Sequence, residues 1–584
     1  MLGLILAVQA VLLAVAAATN RGRLNTDGVA YLRLAHDYAE GPLHLAVSGY
    51  WGPMLSWLVA PLLAFGVEPL LAGRVVMAVT ALGFTAGCAS LLRSLALPAR
   101  TVQAGTAIAA LAGLGWSIEI ISPDLLVAGL VCLALALMTA ECWTKQPRWA
   151  LGTGTIWGTA YLAKAVALPL AVGLGLLIAL VRFFRTPPGN HRHRIWRQLA
   201  LTWVACGIVA APWIVVLSIK YHTPTFSTSA KAAHAVVGPK DVDRYHPFAR
   251  TFHRPEEGRI TSWEDPTSLP YATWSPFASG ANFRHQLNVS ARNALTAVRL
   301  LGTFDLLHLG VISALLLAIL GLRRLAGAPL GGTSSTNPKP PGGDPKGATS
   351  GSASRLEGTR LSGDWIWPPL LLLGLSGVYL PAYLELVDQR YFYATLPLLF
   401  AAAAMAADWL KDPLVDRSPA LNRLLWPLVL VSFAALPAIN ALSALQGGVN
   451  PAAWVARAAA DGIAKTGRPG PIAGSGLLAG DRTGVFTAFF LDQPWYGDKP
   501  DATAEEFAAS GARWVMVQGR RPVAAQLATD PGFTERTQDV LKELGLGNPE
   551  NFLRLFERPG WSSGTFAGRR EVPDVPAAPF PVTR

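Results

Sequence analysis

Long apolar runs separated by short polar segments are the feature that most constrains this chain. About 20 apolar residues in a helix cross the roughly 30 Å hydrocarbon core of a bilayer, and such runs recur along the 584 residues. Only 15% of the residues are charged, against about 25% in soluble proteins. The pattern predicts an all-α polytopic membrane domain of about eleven transmembrane helices. The predicted spans are residues 2–19, 70–92, 102–120, 124–141, 148–163, 166–184, 198–219, 304–322, 365–384, 391–410 and 423–444.

Lysines and arginines cluster in every second loop of this arrangement, and one example is the stretch HRHRIWRQ at 191–198. Cytoplasmic loops carry this excess in membrane proteins. The rule predicts a multi-pass protein of the inner (plasma) membrane, with a cytoplasmic N-terminus and an extracytoplasmic C-terminal segment. The net charge of +12 is then explained by contact with lipid headgroups, so nucleic acid is not an expected partner. Arg21 and Arg23 run against the rule.

Residues 51–65 form an apolar stretch too short to span the bilayer, and a span here would invert every later loop. We therefore expect a helix lying at the outer interface, with Tyr50 and Trp51 as interfacial anchors. The first apolar run has an alternative interpretation as a cleaved signal peptide, although it lacks a basic n-region.

The polar segments divide the rest of the chain. Residues 1–446 are predicted to form the membrane domain, with outer loops at 20–69 and 220–303 and a flexible cytoplasmic Gly/Ser/Pro-rich linker at 326–363. Residues 447–584 alternate predicted strands at 471–473 and 514–518 with predicted helices at 504–510 and 537–544, which indicates a small extracytoplasmic α/β domain. The four cysteines lie in or beside apolar runs, so no disulfide framework is expected.

Candidate functional residues are isolated charges at the predicted outer ends of the spans. Asp27 precedes an amphipathic helix, where a helix cap is the simpler explanation. Asp124 follows Ser122 and Pro123, which also suits a helix N-terminus. Arg74 stands alone in a long apolar stretch and either snorkels to headgroups or contacts a phosphate.

Two further segments add charges at the same predicted face. Lys164 ends the fifth predicted span. A short loop holds Glu385, Asp388 and Arg390 followed by Tyr391, which fits either the rim of a site or a solvated loop with its charges paired. Because all of these positions fall on one face, we expect one pocket. No ligand set for a metal ion is indicated, although a divalent metal stays possible.

Several short motifs resemble the GT-C superfamily of membrane glycosyltransferases, in the branch of protein O-mannosyltransferases and the lipid A aminoarabinose transferase. They are NTDGVAYLRLAHDYAEG, GYWGPMLSWLVAPLLAFG, AGRVV, SPDLL, LAKAVALPL and DQRYFYATLPLL, within about the first 180 residues and 365–410. The sequence departs from that pattern at Gly52-Pro53, where relatives have Pro-Pro, and it lacks an Asp-x-Asp in the first outer loop.

The resemblance implies an inverting transfer of a sugar from a polyprenyl-phosphate donor to a glycan, lipid or protein acceptor. In that scheme Asp27 is the general base. Arg74, Lys164 and Arg390 offset charge on the departing phosphate, and Asp124, Asp388, Glu385 and Tyr391 are possible site residues. The alternatives are a transporter or flippase of lipid-linked sugars, and a non-catalytic scaffold that presents the C-terminal domain.

Overall fold

The chain is described by a computed structural model, which covers residues 1–20, 22–187, 190–239, 246–327, 363–381, 389–415, 418–448, 450–477, 482–542 and 551–561. The predicted cytoplasmic linker at 326–363 lies almost entirely outside these described residues.

The α-helices in chain order are α1 Leu2–Thr19, α2 Thr26–Ala39, α3 Leu43–Ala46, α4 Met54–Ala64, α5 Pro69–Ser94, α6 Ala99–Glu119, α7 Asp124–Thr139, α8 Glu141–Lys145, α9 Pro147–Ala163, α10 Ala167–Arg185, α11 Asn190–Lys220, α12 Ser229–Ala235, α13 Gly280–Gly302, α14 Leu309–Gly327, α15 Trp367–Gly377, α16 Leu396–Val415, α17 Pro419–Gln446, α18 Pro451–Lys465, α19 Thr483–Leu491, α20 Ala504–Ser510, α21 Pro522–Thr529 and α22 Thr537–Leu541. Short 3₁₀ helices cover Pro247–Ala249, Ser262–Glu264, Pro266–Ser268, Gly363–Ile366 and Gln389–Thr395. The strands are β1 Ile472–Ser475, β2 Trp495–Asp498, β3 Trp514–Gln518, β4 Thr534–Glu535 and β5 Leu553–Glu557.

Apolar helices pack into one bundle, in which α5 contacts α6 and α7, α9 contacts α11, and α17 contacts α6. Small residues allow the closest approaches, as is common where helices meet in membranes. A Cβ on Gly87 of α5 would lie 2.3 Å from the carbonyl oxygen of Gly129 in α7. These two helices therefore meet backbone to backbone, and α7 holds its N-terminal residue Asp124 in a fixed place.

Seven helical segments among the described residues are long and apolar enough to cross a membrane. They coincide with seven of the eleven predicted spans, at 2–19, 70–92, 102–120, 166–184, 198–219, 391–410 and 423–444. The other four predicted spans contain the shorter helices α7, α9, α14 and α15. The polytopic membrane fold is confirmed, and the count of eleven stays a prediction.

The segment between α1 and α5 folds as three helices. Along α2, Val29, Leu32 and Ala35 recur at helical spacing and are buried. α4 has 11 residues and is only about 16 Å long at 1.5 Å per residue, too short for a hydrocarbon core. Its length agrees with the expectation that 51–65 does not span the bilayer.

The segment 220–303 contains a long helix that the sequence analysis missed. α13 has 23 residues and a polar-apolar division, with Phe283, Leu287 and Leu295 exposed. α14 begins only after Asp305, whose carboxylate accepts the backbone N–H groups of Leu309 and Gly310. The predicted span at 304–322 therefore starts later than expected.

The C-terminal segment forms the predicted small α/β domain. Its sheet has the order β2-β1-β3-β5-β4, with β2, β1 and β3 parallel and β5 antiparallel to both β3 and β4. The predicted strands at 471–473 and 514–518 and the helix at 504–510 correspond to β1, β3 and α20. Strands β2, β4 and β5 were not predicted.

This domain is docked on the helices and loops of the membrane domain. Arg33 of α2 forms a 2.9 Å ion pair with Asp492. Trp495, at the start of β2, donates its backbone N–H to the carbonyl of Ile260 at 2.6 Å. The segment between α11 and α14 thus lies between the sheet and α2, where it closes one side of a cavity.

Candidate active site

Asp27 is the second residue of α2, and Asn25 is the residue before the helix. Asn25 does not cap α2 with its side chain, but accepts the backbone N–H of Ile121 at 2.9 Å. The carboxylate of Asp27 points to other groups. Its Oδ2 accepts an Nη1–H of Arg390 at 2.6 Å, and its Oδ1 accepts the indole N–H of Trp263 at 3.4 Å. Asp27 is therefore not a helix cap, which was the simpler expectation.

Asp124 anchors a second pair at the N-terminus of α7. Its Oδ1 accepts Lys164 Nζ at 2.5 Å, and its Oδ2 accepts the hydroxyl of Ser122 at 2.9 Å. Lys164 directly follows α9 with an extended backbone. Pro123, rather than Ser122, is the residue before α7. The hydroxyl of Ser122 therefore does not cap the helix but orients the Asp124 carboxylate.

Arg390 joins the two pairs. Its Nε lies 3.8 Å from Oδ2 of Asp124, while its Nη1 holds Asp27. The ring of Tyr391 lies beneath both cations, 4.3 Å from Lys164 Nζ and 5.3 Å from the Arg390 guanidinium carbon. Two carboxylates and two cations therefore alternate in one chain, Asp27–Arg390–Asp124–Lys164, called here the charge chain.

An aromatic wall stands beside the charge chain. Trp263 packs against Tyr50, Trp51, His246 and Phe248 at ring-centroid distances of 4.5 to 5.2 Å. Trp51 also donates its indole N–H to the carbonyl of Trp263 at 2.7 Å. Tyr50 and Trp51, expected as interfacial anchors, instead belong to this wall.

The imidazole of His246 is part of the same wall. Burial lowers the pKa of His246 to about 4, and the nearby Asp27 carboxylate acts in the opposite direction. The ring is therefore neutral at physiological pH, and its Nδ1 lies 2.6 Å from the Tyr271 hydroxyl. Neither Trp263 nor His246 was singled out from the sequence, because no local pattern in 220–303 distinguishes them from the other aromatic and histidine residues of that segment.

A buried polar turn holds Trp263 in place. Thr261 and Glu264 form a reciprocal capping box around it, and Oε1 of Glu264 accepts the backbone N–H groups of Ile260 and Thr261 at 2.9 and 2.8 Å. Burial raises the pKa of the Glu264 carboxyl to about 7, against the opposing effect of the arginines Arg33 and Arg259. The backbone contacts of this turn thus fix the position of Trp263, whose indole contacts Asp27.

These groups surround one cavity of about 1020 Å³. The membrane domain contributes the charge chain, and the C-terminal domain contributes Arg482, Asp498, Pro500, Asp501 and Arg521. The lining residues are Thr26, Asp27, Tyr31, Tyr50, Trp51, Pro123, Asp124, Lys164, Ala165, Val166, Pro169, Phe226, Ser227, Ser229, Ala230, Ala233, His246, Phe248, Ala249, Arg250, Trp263, Val378, Tyr379, Arg390, Tyr391, Arg482, Asp498, Pro500, Asp501 and Arg521.

Arg74 is placed apart from these residues. Its side chain is buried and donates to the backbone carbonyls of Ser117, Ile118 and Arg23 at 3.3, 2.8 and 2.5 Å. It does not line the cavity, so the structure gives no support to a phosphate contact and instead shows a brace between α5 and the end of α6.

Two predicted site residues, Glu385 and Asp388, lie outside the described residues. Within the described part of the chain, no group of three or more His, Cys, Asp or Glu side chains is arranged to hold a metal ion.

No protein-family model matches the chain, and a search of curated proteins finds no significant match. Solved structures are more informative. ArnT from Cupriavidus metallidurans bound to undecaprenyl phosphate shares 15% identity over 95% of this chain and 98% of its own, with a TM-score of 0.52. The Archaeoglobus fulgidus oligosaccharyltransferase in the apo form shares 11% identity over 89% of this chain and 70% of its own, with a TM-score of 0.47.

The agreement with ArnT extends over both the helical bundle and the C-terminal domain, since nearly the whole of each chain is covered. At this level of identity the similarity concerns the fold. The chain has the GT-C fold, in the form that ArnT shows.

Proposed function

We propose that this protein is a membrane glycosyltransferase that moves a sugar from a polyprenyl-phosphate donor to the hydroxyl of an acceptor at the outer membrane face. The observation that carries the proposal is the charge chain on the wall of one large cavity. The shared fold with an ArnT structure that holds undecaprenyl phosphate supports the choice of donor.

The donor phosphate is assigned to Lys164 and Arg390. Both cations line the cavity, and ammonium and guanidinium groups are the usual partners of phosphate oxygens. In the charge chain each already contacts a carboxylate. A donor phosphate takes the place of a carboxylate partner and is stabilised more strongly as the leaving group gains charge.

Asp27 is assigned the role of general base. The acceptor oxygen attacks the anomeric carbon while its proton passes to the Asp27 carboxylate. The bond between the anomeric carbon and the phosphate oxygen breaks, and its electron pair stays on the departing polyprenyl phosphate. A single displacement of this kind inverts the anomeric centre. Trp263 holds Oδ1 of Asp27 and orients the carboxylate for this step.

The lipid tail is assigned to the apolar side of the cavity. Val166 and Pro169 of the α10 region and Val378 at the end of α15 line it next to Lys164. α10 and α15 are neighbours in the bundle. A tail leaving between them runs into the bilayer while the phosphate stays at the charge chain. The basic residues of alternate loops support the further proposal of an inner-membrane protein with a cytoplasmic N-terminus and an extracytoplasmic C-terminal domain. The transferred sugar is a hexose or pentose, and the acceptor is a glycan, a lipid or a protein.

The test measures transfer of radiolabelled sugar from a panel of polyprenyl-phosphate donors by purified protein in lipid nanodiscs. Each donor is supplied with a membrane extract as the source of acceptors. Asp27→Asn keeps the size of the side chain and removes the base, so we expect transfer to fall at least 100-fold, in line with general-base effects of about 10²–10⁴. Binding of polyprenyl phosphate should be retained.

Asp530→Asn is the matched control. Asp530 accepts the backbone N–H of Gly532 in an exposed turn after α21 and does not line the cavity. Transfer by this variant should equal that of the wild type. Full activity of Asp27→Asn would remove Asp27 as the base, and movement of intact donor across the bilayer of proteoliposomes without transfer would identify a flippase instead.

A further inference from the structure

The C-terminal sheet has a reversal in its strand order beside the cavity. β1 lies between β2 and β3, and all three are parallel. From β1 the chain passes through α19 to β2 on one side, and then through α20 to β3 on the other. In open α/β sheets ligands bind outside the carboxyl ends of the strands at such a reversal. The position here is the carboxyl end of β1, next to β3.

The cavity described above reaches this edge of the sheet. Asp498 is the last residue of β2, and Pro500 and Asp501 follow it. Arg482 directly precedes α19, and Arg521 directly precedes α21. All five line the same cavity as the charge chain. The space that holds Asp27 is therefore also bordered by the carboxyl edge of the sheet.

Arg521 lies across the ends of the three parallel strands. Its Nε would be 2.7 Å from a Cβ on Gly476, which follows β1 with a φ of +80°. Its Nη1 reaches the carbonyl of Pro500 at 3.5 Å and the carboxylate of Asp501 at 4.0 Å. These contacts are long, and the Asp501 side chain is 92% exposed, so this pair offsets little of the arginine charge.

The lining residues outside the charge chain carry more positive than negative charge, which favours an anion. Arg250, Arg482 and Arg521 line the cavity with two acids, Asp498 and Asp501. Asp498 is 1% exposed and its Oδ1 accepts the backbone N–H of Leu477 at 3.2 Å, while Arg482 is exposed. Guanidinium groups bind phosphate and carboxylate oxygens in bidentate fashion.

We propose that the carboxyl edge of the C-terminal sheet, with Arg482 and Arg521, binds an anionic group of the acceptor, a phosphate ester or a carboxylate. The assignment of this anion to the acceptor rests on the proposed transfer reaction, in which the donor phosphate binds Lys164 and Arg390 in the same cavity. The anion holds the acceptor so that its hydroxyl reaches toward Asp27. The C-terminal domain then selects the acceptor rather than merely covering the membrane domain.

The test is equilibrium binding of two soluble probes, glycerol 3-phosphate and glucuronate, to the full-length protein in nanodiscs by titration calorimetry. Polyprenyl phosphate is present in excess, so that Lys164 and Arg390 are occupied. We expect one of the probes to bind, and its identity tells phosphate from carboxylate. Arg482→Gln and Arg521→Gln should each weaken that binding about 10-fold, the loss of one charge-assisted contact.

Arg520→Gln is the matched control, since Arg520 is the exposed neighbour of Arg521 and does not line the cavity. It should bind the probe as the wild type does. Three outcomes would overturn the proposal. They are unchanged binding in the double variant Arg482→Gln/Arg521→Gln, an equal loss in Arg520→Gln, and no binding of either probe by the wild type at millimolar concentration. If Arg521→Gln unfolds the domain, the exposed Arg482 carries the test alone.

The two proposals fail in different ways. Binding of polyprenyl phosphate, measured separately, should be equal in the wild type and all three arginine variants. If the wild type does not bind or turn over any polyprenyl-phosphate donor, the proposed reaction fails, whereas the probe titrations without lipid still decide whether the sheet edge binds anions. If donor turnover is normal and the probes do not compete with the acceptor, the acceptor site lies elsewhere.

Discussion

At the scale of single residues, the sequence and the structure agree on the charges and differ on their partners. Asp27, Lys164, Asp124, Arg390 and Tyr391 were all singled out, and the structure brings them to one cavity. A charged residue stands out in an apolar stretch of sequence. Because a charge is energetically costly there, it indicates a partner. Which oxygen or nitrogen offsets that cost is decided by tertiary packing.

Arg74 shows the limit of that reasoning. In the sequence Arg74 and Arg390 look alike, because each is an arginine beside apolar residues. In the structure Arg74 donates to three backbone carbonyls, whereas Arg390 binds a carboxylate.

Trp263 is the opposite case, a site residue that the sequence did not indicate. It contacts Asp27 across 236 positions of the chain, and an aromatic residue in a loop gives no periodic pattern that would single it out.

Glu264 yields a prediction about pH and stability. Burial raises the pKa of its carboxyl to about 7 from an ordinary 4.5. The folded protein therefore binds this proton more tightly than the unfolded chain does. The resulting stabilisation is fully present below pH 4.5 and is lost as the pH rises through 7, and the difference corresponds to about 3 kcal/mol.

We expect the unfolding midpoint of the wild type to fall between pH 5 and pH 8 by more than that of Glu264→Gln, measured by thermal unfolding in one detergent. The variant keeps the oxygen that accepts the N–H groups of Ile260 and Thr261 and cannot ionise. Other titrating groups are common to both proteins, so parallel pH dependences would show that Glu264 does not contribute.

At the scale of elements, helix positions follow from apolar periodicity, whereas close approaches between elements do not. The long spans and α2 were predicted near their observed ends, because burial of an apolar face repeats at helical spacing. Two elements were not predicted, the long helix α13 and the 3₁₀ turn that contains Trp263. Both lie in a segment where polar residues interrupt every apolar run.

Gly52 marks a close approach that has functional weight. A Cβ here would lie 2.3 Å from the carbonyl of Ala163 and 2.6 Å from that of Leu162, at the end of α9 just before Lys164. Gly52→Ala should therefore push the 48–53 segment away from α9 and displace Lys164 and the aromatic wall. We expect a loss of stability of about 1–3 kcal/mol and at least a 10-fold lower transfer rate.

Gly152→Ala is the matched control for this change, because a Cβ at Gly152 would meet nothing within 4 Å. It should leave the transfer rate unchanged and should not lower the unfolding midpoint, since alanine is the better helix former by about 1 kcal/mol. A Gly52→Ala protein with the stability and activity of the wild type would mean that the contact between the 48–53 segment and α9 does not position the site.

At the scale of the whole molecule, the architecture and a single pocket were predictable, but the contribution of the C-terminal domain to that pocket was not. A polytopic bundle followed by an α/β domain follows from hydropathy and from alternating strands and helices. The docking of that domain depends on contacts such as Arg33 with Asp492 and Trp495 with Ile260. These pairs are hundreds of residues apart, so no local pattern indicates that Arg482 and Arg521 line the same space as Asp27.

Orientation in the membrane is testable by cysteine labelling. Glu505→Cys in α20 and Lys145→Cys at the end of α8 both replace exposed side chains, each in a Cys142→Ser background. In intact spheroplasts a membrane-impermeant maleimide should label position 505, and position 145 only after permeabilisation. If position 145 were labelled in intact spheroplasts, or position 505 only after permeabilisation, the cytoplasmic N-terminus and the external C-terminal domain would be contradicted.

The ion pair between Asp27 and Arg390 has a consequence for the kinetics of the proposed reaction. While Nη1 of Arg390 holds Oδ2 of Asp27 at 2.6 Å, the guanidinium occupies one lone pair of that oxygen and the space beside it. The arrival of the donor phosphate, which competes for the guanidinium, releases that oxygen. Substrates should therefore bind in a compulsory order, donor before acceptor, and initial-rate patterns with a polyprenyl phosphate product inhibitor should be competitive with the donor alone.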